Sequence, residues 1–251
     1  MGILDKLDKK KREAANKRKL ISSRNSLLFL ARHSILSGLN NLGFEEYVKE
    51  NFPLQKKQKT TKFDRIKKDW EKQKLGVVIN LYYRGNFRGS SGDIHSINNV
   101  YDDVIQCAYD TAFNDNRFPA LKPKEAGQLK IEVFLVENED GIIQYNDPIE
   151  LLLLLKSLKD RVIVVRKGRR EAYFLPDMWE QIPDEGMFMT SLCGQAGLPS
   201  SAWRGEKRLW PKRITESKIN LYTGKVIPPE DFAGIDVIEK ITHRIKGNGK
   251  K

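Results

Sequence analysis

The spacing of hydrophobic positions changes along this chain between that of helices and that of strands. An apolar face at helical spacing predicts a first core helix over Leu27–Leu39. The same spacing over Ile97–Ala112 predicts a long second core helix, with Ser96 as its N-cap. From Leu129 to Val136 the pattern has a period of two, which predicts a strand.

Two pairs of β-branched or aromatic runs flank turn residues and predict hairpins. Val77–Tyr83 precedes Gly85-Asn86, a pair that favours a two-residue turn. Arg161–Val165 and Glu171–Leu175 bracket Lys167-Gly168 in the same way. Because hairpins outnumber β-α-β units, the chain is predicted to be α+β, with a largely antiparallel sheet flanked by helices.

The remaining segments predict shorter elements. Asp147-Pro148 predicts the start of one helix. Asp184 is the predicted N-cap of a second helix, which is expected to end at Gly197. The polar run Gln55–Lys74 is interpreted as a connector or long loop, and Val237–Ile245 as a short amphipathic helix.

The charge of the chain is concentrated in two segments. The 251 residues carry a formal net charge of +12, with 39% hydrophobic and 31% charged residues, a balance typical of a folded protein. Residues 1–24 and 56–74 each hold nine basic and three acidic side chains, so each contributes +6 and the rest sums to zero. Nucleic-acid binding through the basic arm therefore stays open as an alternative function.

Targeting and redox signals indicate a cytoplasmic protein, or a nuclear one if the host is eukaryotic. Cys107 and Cys193 lie in apolar helical patterns, so no disulfide framework is expected. The longest apolar run is Leu151–Leu155, well short of the ~18 residues of a membrane span. The first residues lack the apolar core of a signal peptide.

The sequence contains none of the standard nucleotide-binding or zinc-binding spacings, and no metal or cofactor is predicted. Three polar and aromatic segments are the candidates for chemistry: Phe87–Asp93, Thr111–Pro119 and Asp177–Pro183. Each also has a structural interpretation. The first is a strand-to-helix loop, the second a turn locked by Asp115 and Arg117, and the third a core anchor at Trp179.

These segments resemble the AMMECR domain family, also called protein A of the AmmeMemoRadiSam system. Phe87–Gly92 is similar to the family's Leu-Arg-Gly-Cys-Ile-Gly, matching at its arginine and both glycines, and Ala112–Pro119 is similar to Ala-Phe-x-Asp-x-Arg-Phe-Pro. Ser90 replaces the family cysteine and Ser91 the isoleucine, which excludes a thiolate at that position. Ser90 is a weak candidate nucleophile, because no convincing base accompanies it.

The resemblance implies a domain over residues 25–227 with a larger and a smaller lobe around a cleft. Residues 1–24 are then a basic, poorly ordered N-terminal arm, and residues 228–251 a C-terminal helix and basic tail. Family members occur alongside Memo-type and radical S-adenosylmethionine proteins, which are the expected partners. The family brings no settled reaction, so whether the chain is an enzyme is left open.

The first hypothesis for function is a cleft that binds a small anionic or polar ligand, with a modifying enzyme as its extension. Arg88 and Arg117 would hold an anion, loop amides would donate, and Trp179 would form a stacking wall. The expected ligand-binding residues are Arg88, Gly89, Ser90, Ser91, Gly92, Asp115, Arg117, Trp179 and Gln181. The alternative from another class is a non-catalytic protein-interaction module that uses the same segments.

Overall fold

The structure is a computed structural model that describes residues 25–54, 59–137, 141–204, 213–217 and 219–225. The predicted arm over 1–24 and the predicted tail over 228–251, with its helix Val237–Ile245, lie outside the described residues. The chain divides into two compact units, which are considered separately. One comprises Met1–Phe134 with Leu221–Lys251, and the other comprises Leu135–Asn220.

The described residues form helices and strands in mixed order. The helices are α1 (residues 25–39), α2 (Phe44–Asn51), α3 (Lys62–Trp70), α4 (Val100–Phe113), α5 (Pro148–Lys156), α6 (Met178–Gln181) and α7 (Glu185–Gln195), with a 3₁₀ helix over Pro123–Gln128. The strands are β1 (Gly76–Tyr83), β2 (Asn86–Asp93), β3 (Leu129–Val136), β4 (Gly141–Ile142), β5 (Val162–Lys167), β6 (Arg170–Phe174), β7 (Arg213–Ser217) and β8 (Ile219–Lys225).

The strands form two four-stranded sheets, in the orders β2-β1-β3-β8 and β4-β7-β5-β6. The pairs β1–β2, β4–β7, β5–β6 and β5–β7 are antiparallel. The predicted α+β class is therefore confirmed. None of the described helices combines the length and the apolar character needed to cross a membrane.

The first predicted hairpin is confirmed, with its turn one residue earlier than expected. Tyr83 pairs with Asn86, so Arg84 and Gly85 form the turn, and their φ angles of 52° and 83° suit a primed two-residue turn. The second predicted hairpin, β5–β6, is also confirmed, but its turn at Gly168-Arg169 lies one residue later than expected. In the first hairpin the shift accompanies a register irregularity between Leu81 and Tyr82 of β1.

Helix α4 begins later than its sequence pattern predicts. Asn99, and not Ser96, is the N-cap, and its side chain accepts a hydrogen bond from the Asp102 backbone N–H at 3.1 Å. Ile97 lies outside the helix and is 71% exposed, so it does not belong to the core face. The predicted caps Asp147 and Asp184 are confirmed, because each accepts from backbone N–H groups of the first turn.

The interpretation of Gln55–Lys74 as a connector was wrong in its second half, where α3 forms. Thr61 and Asp64 make a reciprocal capping box at its start, with N···O distances of 2.7 and 3.1 Å. Phe63 and Ile66 are buried on one face, and the charged residues between them are exposed. Two buried side chains and a good cap are enough to order this helix in a strongly charged segment.

In the first unit, α4 packs against β1 and β2 and determines where the candidate site lies. Thr111 Oγ1, on the buried face of α4, donates to the Ile79 carbonyl of β1 at 3.2 Å. On another side, Ser34 Oγ of α1 donates to the Ile105 carbonyl at 2.6 Å. Since β2 is an edge strand of the sheet, α4 ends beside a strand edge that no other described strand pairs with.

In the second unit, α5 and α7 share a core with β5 and β6. Leu151 and Leu155 of α5 meet Phe188 and Leu192 of α7 in this cluster, and all four are fully buried. The apolar pattern of the hairpin and of both helices thus converges on one core, as expected from burial of their hydrophobic faces.

Candidate functional site

The segment Phe87–Asp93 is a strand and not the strand-to-helix loop expected from its glycines. It lies within β2, where Gly89, Ser90, Ser91 and Gly92 are paired with residues of β1. A row of consecutive free amides is therefore absent from this described segment, because neighbouring N–H groups of a strand point to opposite sides. The site depends instead on the outer edge of β2.

The outer edge of β2 is bound by two side chains from the loop after α4. Asp115 Oδ2 accepts a hydrogen bond from the Ser90 backbone N–H at 2.9 Å. Arg117 Nη2 donates to the Ser90 carbonyl oxygen at 3.3 Å. The two side chains satisfy both backbone groups of Ser90, as a further strand would do, and so they protect this edge position.

Asp115 and Arg117 also form a two-pronged ion pair. Arg117 Nε donates to Oδ1 at 2.9 Å and Nη2 to Oδ2 at 2.7 Å. The Asp115 side chain is 5% exposed, whereas that of Arg117 is 56% exposed. The Arg117 hydrogen bonds hold the pKa of Asp115 well below its ordinary value, with help from the Ser90 and Arg117 backbone N–H groups and against the effect of burial.

Arg88 lies on β2 but turns inward. Its Nε donates to Glu125 Oε1 at 3.0 Å and its Nη2 to the Pro119 carbonyl at 2.7 Å, with 10% and 13% of the two side chains exposed. Burial raises the pKa of Glu125, hydrogen bonds from Arg88 and the Lys122 backbone lower it, and the result lies below the ordinary value. Arg88 thereby ties β2 to the chain after α4, and its predicted anion binding stays a prediction.

Aromatic rings separate the two arginines. The Phe118 ring lies 5.7 Å from the Arg88 guanidinium carbon and 5.9 Å from that of Arg117. Phe87 covers Arg117 from another side at 5.4 Å and contacts Phe118 edge-on. Cation–π contacts of this kind fix the Arg117 side chain in place while its outer N–H groups remain accessible.

Two glycines of the motif are required by close packing. A Cβ at Gly89 would lie 2.6 Å from the Thr111 carbonyl oxygen, so α4 approaches β2 closely only because this residue has no side chain. Gly92 has a φ of +130°, and a Cβ there would lie 2.1 Å from the Val77 carbonyl oxygen of β1. These glycines therefore position the Ser90 edge beside the end of α4.

A polar pocket of about 500 Å³ opens where these elements meet, and we call it the Ser90 pocket. Its lining consists entirely of polar side chains: Ser90, Ser91, Asp110, Asn114, Asp115, Asn116 and Arg117. The sequence-predicted residues that the structure unites here are Ser90, Ser91, Asp115 and Arg117. Asp110 and Asn114 were not predicted, although their spacing of four places both on one face at the end of α4.

A family model described as AMMECR1 matches residues 41–211, which is most of the chain and includes the whole Ser90 pocket. The chain belongs to the AMMECR1 family. The expected domain over residues 25–227 is wider than this match at both ends.

Two archaeal relatives of this chain support its assignment to the AMMECR1 family. A protein of Methanothermobacter thermautotrophicus is 30% identical over 131 residues, which cover 51% of this chain and 66% of the relative. One of Thermococcus gammatolerans is 31% identical over 142 residues, covering 53% of this chain and 66% of the relative. The matched region thus spans slightly less than two thirds of these two relatives.

A solved structure shows the same fold. The uncharacterised protein PH0010 of Pyrococcus horikoshii is similar to 81% of this chain over 92% of its own length, with a TM-score of 0.59 and 24% identity. At this identity the similarity concerns the fold alone, and it agrees with the α+β architecture.

Trp179 and Gln181 belong to the second unit, whereas the residues that line the Ser90 pocket belong to the first. Trp179 is buried in the core of that unit, with its ring stacked on Phe188 at 3.6 Å between centroids. Gln181 is exposed at the end of α6. The stacking-wall role of Trp179 stays a prediction, and its stacking on Phe188 gives it a place in the core.

The two cysteines and His33 have pKa values shifted in the direction that keeps each side chain uncharged. Burial raises the pKa of Cys107 to about 12 and that of Cys193 to about 11, so both thiols are protonated at neutral pH. Burial, with the charge of Lys62, lowers the pKa of His33 to about 3. Among the described residues, no group of three or more His, Cys, Asp or Glu could hold a metal ion.

Proposed function

We propose that this AMMECR1 protein binds a small polar ligand in the Ser90 pocket. The observation that carries the proposal is the meeting of the two motif segments: Asp115 and Arg117 of the second bind both backbone groups of Ser90 in the first. The glycine-dependent approach of β2 to α4 places these segments together. A concave site with several convergent polar groups is the usual form of a small-molecule site.

Several polar groups in the pocket remain available to a ligand. Within the described part of the chain, the hydroxyls of Ser90 and Ser91 and the side chain of Asn116 make no hydrogen bond to protein, and Nη1 of Arg117 is likewise unbonded. Each can donate, and the hydroxyls and the amide can also accept. They support ligand binding, whereas the Arg88 side chain is only 10% exposed and its Nε and Nη2 are engaged by Glu125 and Pro119.

The proposal is for binding and does not include covalent catalysis by Ser90. None of the described residues that line the pocket is a histidine, and the two carboxylates there are engaged, Asp115 by Ser90 and Arg117 and Asp110 by neighbouring amides. A serine without a base is a weak nucleophile. The family context, with Memo-type and radical S-adenosylmethionine proteins nearby, makes a metabolite of such a pathway the first class of ligand to test.

The test is a thermal-shift screen of the full-length protein against phosphorylated, carboxylated, hydroxylated and nucleotide metabolites. A ligand present at 100 times its Kd adds about 2.7 kcal/mol to folding stability, a readily measured shift. We expect at least one compound whose shift falls by about half in Arg117→Ala, as a tenfold weaker Kd requires. Arg65→Ala is the matched control, because Arg65 is an exposed arginine on α3, outside the pocket.

Ser91→Ala provides a second check within the pocket, because it removes one available hydroxyl and leaves the ion pair intact. We expect a reduced shift for the same compound. A shift that is equal in the wild type, Arg117→Ala and Ser91→Ala places the ligand elsewhere and contradicts the proposal. The absence of any shift, with all proteins folded, favours the protein-interaction alternative.

A further inference from the structure

The outer face of α4 joins the Ser90 pocket to a second depression. This depression has a volume of about 520 Å³, lies between α1 and α4, and includes Gln106 and Tyr109 in its lining; we call it the Tyr109 depression. Gln106 Nε2 donates to Asp110 Oδ2 at 2.9 Å, and Asp110 in turn lines the Ser90 pocket. Gln106 and Asp110 are one helical turn apart on α4, and the two concavities adjoin at this hydrogen-bonded pair.

Polar groups continue along this face. Asn114 Nδ2 donates to Asp110 Oδ1 at 2.6 Å, so a row of amide, carboxylate and amide runs from Gln106 to Asn114. These interactions fix the planar groups of all three side chains. Planar amides and carboxylates held in this way present defined donors and acceptors to a ligand that lies along the helix.

Tyr109 adds an apolar surface at the side of this row. Its side chain is 38% exposed, and its ring packs against Phe113 with 4.9 Å between centroids at a tilt of 46°. Phe113 fixes the ring from one side, while its accessible part borders the Tyr109 depression. A fixed aromatic ring next to hydrogen-bonding groups binds ligands that have both an apolar face and a polar edge.

The charges of the Ser90 pocket disfavour an anion. Asp110 and Asp115 contribute two negative charges and Arg117 one positive charge, and Arg117 is already paired with Asp115. A phosphate or carboxylate would therefore lie beside the Asp110 carboxylate without a free cation to compensate. Hydroxyl groups suit the site better, because one hydroxyl can donate to a carboxylate and accept from an amide or guanidinium.

We infer that the ligand is an uncharged polyhydroxylated molecule of the saccharide type, with hydroxyls in the Ser90 pocket and a C–H face against Tyr109. The inference rests on the proposed function and narrows its ligand class from anionic or polar to neutral and hydroxylated. The two concavities, of about 500 and 520 Å³, together accommodate a molecule larger than a single sugar ring, such as a disaccharide.

The test is saturation-transfer NMR on the full-length protein with a pool of neutral disaccharides: maltose, cellobiose, lactose and trehalose. We expect saturation of ring C–H protons of at least one of them. Tyr109→Ala is expected to weaken that ligand about fivefold, the loss typical of one aromatic contact. Tyr109→Phe is the matched control and retains binding, because it keeps the ring.

The outcomes separate this inference from the proposed function. No saturation of any neutral disaccharide, or saturation unchanged in Tyr109→Ala, overturns the saccharide inference. If glucose 6-phosphate or citrate binds instead, and Arg117→Ala abolishes that binding, the proposed function stands and the inference fails. If the neutral disaccharide binds equally well to Arg117→Ala, Ser91→Ala and the wild type, the proposed function fails as well.

Discussion

Two arginine–carboxylate pairs of the same chemistry stand on either side of Phe118, and they differ in exposure. The Arg88–Glu125 pair is nearly buried, and its guanidinium also binds the Pro119 carbonyl. The Arg117–Asp115 pair has a buried carboxylate and an accessible guanidinium at the edge of a pocket. The comparison indicates that the buried Arg88 serves the fold, and that Arg117 is the arginine of the two whose guanidinium is accessible to the bound molecule we propose.

The largest expected effect comes from breaking the buried pair. Arg88→Ala removes the charged partner of the Glu125 carboxylate, which keeps only the Lys122 backbone N–H, and the donor to the Pro119 carbonyl, so we expect a loss of about 3–5 kcal/mol in the free energy of unfolding. Chemical denaturation measures this loss. The control is Arg65→Ala on the exposed face of α3, which is expected to stay within about 0.5 kcal/mol of the wild type.

A double variant sharpens the same test. Arg88→Met with Glu125→Leu removes both charges and fills the space with apolar atoms, and we expect most of the stability to return. If Arg88→Ala alone loses less than about 1 kcal/mol, the pair is more hydrated than its burial indicates. The assignment of Arg88 to the fold is then wrong.

The contrast between the two pairs also indicates how much of the structure can be predicted from the sequence. The β1–β2 hairpin follows from β-branched residues next to Gly85, and the Asp147 and Asp184 caps follow from their side-chain chemistry. Local rules predict such elements because all the atoms involved are close in the chain. Helix α3 could also have been predicted, because the capping box Thr61-x-x-Asp64 is visible in its sequence.

Less of the candidate site could be predicted from the sequence. Arg88 and Arg117 look alike in their motifs, and the partners that hold Arg88 inside the protein, the Pro119 carbonyl and Glu125, lie 31 and 37 residues further along the chain. Asp110 and Asn114 occupy the polar face of α4, a pattern that ordinarily indicates solvent exposure. Their place in the lining of the Ser90 pocket depends on the approach of β2, which is a tertiary contact through Gly89 and Thr111.

The second largest effect is expected from the close packing of β2 against the end of α4, which holds Gly89 against Thr111. Gly89→Ala places a methyl group against the Thr111 carbonyl, and because neither backbone can move easily, we expect a loss of about 2 kcal/mol in stability. Denaturation curves measure it, with Ser91→Ala in the same strand as the control. A variant as stable as the wild type would show that α4 and β2 are more loosely packed than the structure describes.

A smaller effect is expected for Asp115→Asn, and it depends on pH. The folded protein lowers the pKa of Asp115, so its carboxylate stabilises the fold above its unfolded value of about 3.9, and this contribution is lost as the pH falls through the lower folded value. At pH 7 we expect Asp115→Asn to lose about 1.5 kcal/mol relative to the wild type. The difference shrinks below about pH 4.

Denaturation of both proteins between pH 7 and the acid limit measures this dependence. The corresponding variant of the buried pair, Glu125→Gln, serves as the comparison, since its pKa is also lowered. A difference between the wild type and Asp115→Asn that is independent of pH would mean that ionisation of Asp115 contributes nothing to stability. The Arg117 hydrogen bonds would then be ordinary surface contacts.

The smallest effect on stability, and the largest on binding, is expected for Arg117→Ala. The Arg117 guanidinium is solvent-exposed, so its ion pair contributes below about 1 kcal/mol. The Asp115 carboxylate keeps its bonds from the Ser90 and Arg117 backbone N–H groups, which do not depend on the side chain. The pocket therefore keeps its shape but loses the accessible Nη1 donor, and affinity for a bound metabolite is expected to fall about tenfold.

Calorimetric titration and denaturation of the same Arg117→Ala preparation separate the two quantities. Arg117→Lys is the informative companion, because it keeps the charge but cannot form the two-pronged contact with Asp115. We expect Arg117→Lys to bind between the wild type and Arg117→Ala. If instead Arg117→Ala loses several kcal/mol of stability and binds as tightly as the wild type, the exposed pair serves the fold as the buried one does, and exposure no longer distinguishes the roles of the two arginines.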